Sequence, residues 1–216
     1  LGAETTTIHD HPDGMNINMN SGALHTEALA AKVIETGANI GLAFDGDGDR
    51  LQAIDEKGGK LTGDQIIAII AKQMKLENQL ENNLIITTPM SNFGFHQAMQ
   101  QLGITIATAD VGDRYVLQMM LEKGAMLGGE DSGHIIFRQH HTTGDGIISA
   151  LQLLAVMQKT GKPLSELAGV MKPAPQKLMN VKVNSKPPLD EIEEIQTAIK
   201  AAEKELGTQG RVLLRY

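Results

Sequence analysis

The chain has 216 residues, and its 19 Lys and Arg against 26 Asp and Glu give a formal net charge of −7. That length admits one large domain or two modest ones, and 41% hydrophobic residues with 23 glycines suit a globular α/β chain and exclude wholesale disorder. The acidic balance argues against a protein that coats nucleic acid or anionic lipid, and the lack of cysteine excludes disulfides, zinc–thiolate sites and Cys nucleophiles. No apolar run approaches the ~20 residues that cross a bilayer, and the start LGAETTTIHD lacks the basic end and apolar core of a signal peptide. A cytoplasmic protein is the expectation. With four Phe, two Tyr, no Trp and 11 Met, the core is expected to be filled by Ile, Leu, Val and Met, without stacking platforms for single-stranded nucleic acid.

In chain order, Thr26–Thr36 carries helical spacing (Leu29, Val33, Ile34) and stops at Gly37. Asn39–Phe44 is a short apolar strand running into Asp45-Gly46-Asp47-Gly48-Asp49-Arg50, and Leu51–Asp55 returns from it. After the turn Glu56–Lys60, Thr62-Gly63-Asp64-Gln65 has the form of a capping box opening an isoleucine-rich helix. Then come strand Leu84–Thr88, helix Ser91–Leu102, strand Ile104–Thr108, helix Asp113–Lys123 and strand Ala125–Leu127. Helices Asp145–Gln158 and Leu164–Met171 follow. Repeated alternation with short connections predicts an α/β fold of mixed, mostly parallel sheets covered by helices. Beyond the linker-like Lys172–Gln176, Val181–Val183 reads as a strand and Leu189–Leu206 as a charged amphipathic helix with a solvated face. Leu1 is not an initiator methionine, and Gly210–Tyr216 is a strand pattern without a closing element. An internal fragment of a longer protein is therefore expected.

The acidic loop is the strongest chemical signal. Asp45, Asp47 and Asp49 alternate with glycines at the end of an apolar strand. Three carboxylates so close raise one another's pKa unless a cation neutralises them. Gly46 and Gly48 let the backbone curl so that the oxygens converge, and hard oxygen ligands favour Mg²⁺, Ca²⁺ or Mn²⁺. An EF-hand loop would use the same three aspartates and Glu56 as its twelfth position. Its sixth position needs Gly, however, and here that residue is Arg50, between flanks that read as strands. A guanidinium beside a metal suits a grip on phosphate or carboxylate.

Two further loops carry weaker signals. Gly128-Gly129-Glu130-Asp131-Ser132-Gly133-His134 follows a strand end, and its glycines suit close approach to a polyhydroxylated ligand. Glu130 can accept from adjacent sugar hydroxyls, and Ser132 can donate and accept. In Thr108–Tyr115, Asp113 is expected to cap the following helix, while surface charge and anion contact both suit Arg114. The histidines His9, His11, His140 and His141 read as surface residues.

D-G-D-G-D-R, V-G-D-R-Y-V and G-G-E-D-S-G-H, in this order and spacing, resemble the α-D-phosphohexomutase superfamily across essentially the whole chain. Pro12–Asn18, Met90-Ser91-Asn92 and Asp131 make the sequence most similar to its bacterial phosphoglucosamine mutase branch. Asn20–His25 departs from the Cys-Gly-Ser-Thr-His run frequent there. The resemblance implies that residues 1–58 are the later part of domain 2, 59–172 the whole of domain 3 and 173–216 the opening of an α+β domain 4. It implies an isomerase that moves a phosphoryl group between glucosamine 6-phosphate and glucosamine 1-phosphate, on the way to UDP-N-acetylglucosamine and cell-wall precursors. The implied route uses a phosphoserine and a sugar bisphosphate intermediate such as glucosamine 1,6-bisphosphate. By match, Asp45, Asp47 and Asp49 hold Mg²⁺, Arg50 lies beside the transferring group, and Glu130, Ser132, His134 and Arg114 face the substrate. For His134, packing and substrate contact fit equally. The resemblance places the catalytic serine before Leu1 and the phosphate loop after Tyr216, so this chain alone is expected to be inactive. It implies a phosphosugar as partner, with no nucleic acid and no membrane, and a homodimer as one assembly of the intact protein. The alternatives are a phosphomannomutase/phosphoglucomutase, or a non-catalytic Ca²⁺-binding module.

Overall fold

The computed structural model describes residues 2–216. Helix α1 (Glu27–Thr36) ends at Gly37, whose φ of 66° closes it in the left-handed conformation that a Cβ disfavours. A three-stranded antiparallel sheet follows, β1 (Ile40–Phe44), β2 (Leu51–Asp55) and β3 (Lys60–Leu61) in that order. Phe44 pairs with Leu51, so the six acidic-loop residues 45–50 form the connection of a β-hairpin. Strand flanks exclude the EF-hand, whose loop joins two helices.

The second sheet has four strands in the order β5-β4-β6-β7: β4 (Leu84–Thr87), β5 (Thr105–Thr108), β6 (Leu127–Gly129) and β7 (Ile135–Phe137). β4 runs parallel to β5 and β6, and β7 is antiparallel to β6. On β4, Ile85 belongs to one buried cluster and Ile86 to the other, as expected of a parallel strand covered on both faces. Helix α2 (Gly63–Leu76) brings Ile66, Ile67 and Ile70 to the larger cluster, with Phe95 and Met99 of α3 (Phe93–Gln101) and Leu153 of α5 (Gly146–Thr160). Helix α4 (Asp113–Lys123) covers the opposite face with Val116 and Met120. The core contains aliphatic residues and methionine with few aromatics, as the composition predicts.

The two sheets share one core. Leu51, Ala53 and Leu61 of the hairpin sheet lie in the same cluster as the α2 isoleucines, so packing is continuous across residues 58 and 59. Glu56 in the β2–β3 turn reinforces this, accepting from the Ser165 N–H at 3.1 Å and from its hydroxyl at the start of α6 (Leu164–Leu167).

Several local expectations change. The strand expected at Ala125–Leu127 is displaced to Leu127–Gly129, because the Ala125 N–H closes α4 on the Met120 carbonyl. Gly128 and Gly129, read as loop, are in the strand because they pair with Ile136 and Ile135 of β7, and neither position has room for a side chain. A Cβ at Gly128 would stand 2.6 Å from Met120 Sδ, and one at Gly129 2.6 Å from the His134 carbonyl. Gly112, not Asp113, is the N-cap of α4; Asp113 is already helical, and its carboxylate accepts from the Arg114 N–H. Val181–Val183 and Gly210–Tyr216 form no strand, since neither segment has a pairing partner among the described residues. The helix expected at Leu189–Leu206 begins later, as α7 (Glu193–Leu206), because Leu189–Glu191 form a separate 3-10 turn and Ile192 is extended; α7 buries none of its residues.

Candidate active site

The hairpin geometry gathers the acidic loop. Gly48 adopts φ 74° and donates to the Asp45 carbonyl, while the Arg50 N–H donates to Asp45 Oδ1 at 3.1 Å. The loop is also held from outside, because the Gly146 N–H at the start of α5 donates to the Gly48 carbonyl at 2.9 Å. Gly146 must lack a side chain for this approach, since a Cβ there would lie 2.6 Å from the Arg50 carbonyl.

One carboxylate oxygen from each of Asp45, Asp47 and Asp49 lies within 4.8 Å of the others. Asp49 Oδ1 is buried without a hydrogen-bond partner. Burial raises the Asp49 pKa and Asp45 and Asp47 raise it further, against the opposing pull of His134. Burial also works upward on Asp45, but the Arg50 N–H, a hydrogen bond with the Asp49 carboxyl and the Arg50 guanidinium together outweigh it and leave that carboxyl lowered. Arg50 Nε stands 3.5 Å from Asp45 Oδ2 and 3.8 Å from Asp49 Oδ1. A converging set of hard oxygen donors, one of them buried and without a hydrogen bond, fits a divalent cation of the Mg²⁺ class.

Residues 130–134 form the turn between β6 and β7, and it docks beside the acidic loop. The Leu51 N–H donates to the Gly133 carbonyl at 3.1 Å, and Gln52 Nε2 donates to the Ser132 carbonyl at 3.1 Å. Arg50 and His134 add an isolated antiparallel bridge. Gly133 has φ 94°, and a Cβ there would meet the Leu51 carbonyl at 2.1 Å, so only glycine lets the two loops touch. His134 is buried rather than facing the cleft. Its Nε2 is 3.5 Å from Asp49 Oδ2, and its ring packs so tightly on Gly144 that a Cβ there would stand 2.4 Å away.

Asp45, Asp47, Arg50, Asp131 and Ser132 line one cleft of ≈450 Å³. Glu130 and Asp49 are not among the lining residues; the Glu130 carboxylate accepts from the Gly112 N–H at 3.4 Å, which draws the third loop toward the β6–β7 turn. Arg114 is not drawn in: its guanidinium stacks over the Tyr115 ring at 4.4 Å and donates to that residue's hydroxyl. The cleft wall also contains Gln52 and Lys60, which the sequence reading passed over. Neither belongs to a motif; they face the cleft because β2 and β3 pair beside it. A larger hollow of ≈890 Å³ lies under residues 8–29 and reaches the acidic loop at Asp45 and Gly46. Among the described residues, no helix is long and apolar enough to cross a membrane.

Known proteins are similar to this chain in sequence and fold. The family model of the phosphoglucomutase/phosphomannomutase alpha/beta/alpha domain III matches residues 62–174, and that of the C-terminal domain matches residues 178–216. A protein of Syntrophus aciditrophicus named phosphoglucosamine mutase is 56% identical over the whole chain, which covers 48% of it. One of the same name from Desulforapulum autotrophicum is 57% identical, with 47% of its length covered. The chain thus spans about half the length of these curated relatives. The crystal structure of a phosphoglucomutase/phosphomannomutase family protein from Burkholderia thailandensis superposes with a TM-score of 0.62 at 28% identity, over 68% of this chain and 32% of that one. The N-acetylphosphoglucosamine mutase of Aspergillus fumigatus, solved with GlcNAc-6P and magnesium, shares the fold with a TM-score of 0.68 at 16% identity, over 87% of this chain and 49% of that one. The domain III match covers more than half of the residues, and the chain therefore belongs to the phosphoglucomutase/phosphomannomutase family, the α-D-phosphohexomutases.

Proposed function

We propose that the protein containing this chain is a phosphoglucosamine mutase, interconverting glucosamine 6-phosphate and glucosamine 1-phosphate and so feeding UDP-N-acetylglucosamine and cell-wall precursor synthesis. The observation that carries this reading is the single cleft in which the three-aspartate loop and the Glu130–Ser132 turn are pinned together. The names of the relatives at 56% and 57% identity support the amino-sugar substrate. Residues 1–58, 59–172 and 173–216 are read as the end of domain 2, domain 3 and the opening of domain 4; the matches at 62–174 and 178–216 support the second and third of these.

Asp45, Asp47 and Asp49 would hold Mg²⁺, with Asp49 Oδ1 as the oxygen most in need of a partner. The ion, when bound, supplies positive charge against the oxygens of a transferring phosphoryl group. Arg50 adds a second positive charge at the same place, and the ion pairs with Asp45 and Asp49 keep its guanidinium near the loop. Glu130 accepts from sugar hydroxyls, while Ser132 offers a hydroxyl to the same ring. His134 holds Asp49 from behind and makes no substrate contact in this reading. Lys60 lies in the cleft as a further cation for a phosphate. The transfer runs from a phosphoserine elsewhere in the protein to the free C1 or C6 hydroxyl. The resulting sugar bisphosphate reorients and returns its other phosphoryl group to the serine.

The test is turnover by the polypeptide extended to the length of its relatives. Glucosamine phosphate should react faster than mannose or glucose phosphates, and with Mg²⁺ better than with Ca²⁺. Equal or reversed sugar preference would move the assignment to phosphomannomutase/phosphoglucomutase. Tight Ca²⁺ binding without turnover would leave a binding module.

A further inference from the structure

Residues 178–216 are hydrogen-bonded to the body of the chain through a single side chain. Residues 172–188 contain no helix or strand, and α7 buries none of its residues. Among the described residues, the hydrogen bonds that join 178–216 to residues before 172 are all made by the Arg211 guanidinium. Its Nη2 donates to the Pro89 carbonyl at 2.6 Å and to the Ser91 carbonyl, and its Nη1 stands 3.4 Å from His96 Nε2 on α3.

The loop that Arg211 grips is held firmly by the body. The Ser91 hydroxyl bonds that of Thr87 at the end of β4, and the Asn92 N–H donates to Asp64 Oδ2 in the first turn of α2. The Asn92 side chain also holds the departing chain: its Oδ1 accepts the Ala174 N–H at 2.8 Å, and its Nδ2 donates to the Ala174 carbonyl at 3.0 Å. The segment therefore leaves the body at Asn92, and Arg211 returns it to the same loop.

A guanidinium can only donate, so His96 Nε2 must present its lone pair, with the ring neutral and its proton on Nδ1. Protonation would replace that acceptor by a donor and set a second positive charge 3.4 Å from Arg211. Burial holds the His96 imidazole below its ordinary 6.5, and the Arg211 charge pushes the same way. Asp64 is the other titratable group that feels Arg211, whose charge lowers its pKa. The guanidinium bonds go to the loop and His96 rather than to Asp64, so the Asp64 charge only adds attraction as pH rises.

We propose that Arg211 and His96 form a pH-sensitive latch, which seats residues 178–216 on the β4–α3 loop while His96 is neutral and releases them when it is protonated. The latch needs no substrate and stands apart from the mutase reading. Its sign follows from proton affinity. The latched state binds the His96 proton less tightly than the released one, so the latch is complete above pH 6.5 and weakens as pH falls below it.

The experiment measures the distance between nitroxide labels on Gln100→Cys of α3 and Lys200→Cys of α7, both exposed positions, by double electron–electron resonance. This chain has no cysteine of its own. The polypeptide is extended to the relatives' length, with any cysteine outside this chain replaced by Ser. The parent should give one narrow distance at about pH 7.5, and at about pH 5 the fraction at that distance should fall by about threefold or more. Arg211→Ala should be broad at both pH values. His96→Gln, whose Oε1 accepts from Arg211 without titrating, should stay narrow at both. A parent equally narrow at both pH values would overturn the proposal, as would a narrow distance in Arg211→Ala. A His96→Gln variant that opens at low pH as the parent does would overturn it too, since the release would then belong to another group or to unfolding.

Discussion

Replacing Asp64 by Asn should remove a pH-dependent loss of stability that the native chain carries. Burial pushes the Asp64 carboxyl from 3.8 up to about 7, and the neighbouring Asp131 carboxylate pushes the same way. The Asn92 N–H, the Ser91 hydroxyl and the positive charge of Arg211 oppose them without prevailing. The sign follows from proton affinity. The folded state binds the Asp64 proton more tightly than the unfolded chain does, so the stability it permits is complete below pH 3.8 and declines as pH rises through about 7. At about 1.4 kcal/mol per pH unit, the carboxyl gives up at most roughly 4 kcal/mol by neutral pH. Asn cannot titrate and keeps the Asn92 contact. Urea unfolding followed by circular dichroism from about pH 4.5 to about pH 8.5 gives both curves. The variant should gain on the parent steadily toward pH 7 and then hold a constant lead. Parallel curves would mean that Asp64 is ionised at the same pH folded and unfolded, and would refute the argument from burial.

Gly63→Ala should disturb the cleft although Gly63 does not itself line it. Its Cβ would stand 2.5 Å from the Glu130 carbonyl and 2.6 Å from that of Asp131, both backbone, so the turn must lift; sugar-phosphate affinity by calorimetry should fall at least tenfold, on the order expected for a displacement of about 1 Å. Phe95→Ala empties the largest fully buried side chain of the main cluster and should cost about 3–5 kcal/mol of unfolding free energy in urea.

Much of the chain is legible from local chemistry. The 3.6-residue spacing of Ile66, Ile67 and Ile70, the Thr62–Gln65 box and the glycine after Thr36 each specify a helix or its end without help from distant residues. Strands β1 and β2 are equally plain, because apolar runs bracket a loop of three aspartates and two glycines. The convergence of those aspartates could be expected too, since alternate positions in so tight a turn have nowhere else to put their oxygens.

Other features depend on residues far apart in sequence. β7 carries no warning in the sequence, since a three-residue strand becomes one only by pairing with β6. Gly128 and Gly129 read as loop because their requirement for small size comes from Met120 and the His134 carbonyl. Val181–Val183 has strand chemistry and forms no strand, because a strand needs a neighbour to take its N–H and C=O groups. The orientation of His134 toward Asp49, the place of Lys60 and Gln52 in the cleft and the burial of Asp64 beneath Asp131 likewise follow from long-range packing. Helix periods, caps and turns are settled within a few residues of chain, so sequence alone determines them. Which loops meet, and which carboxyl lies buried between them, is decided by contacts between residues tens of positions apart, which exist only once the two sheets share a core.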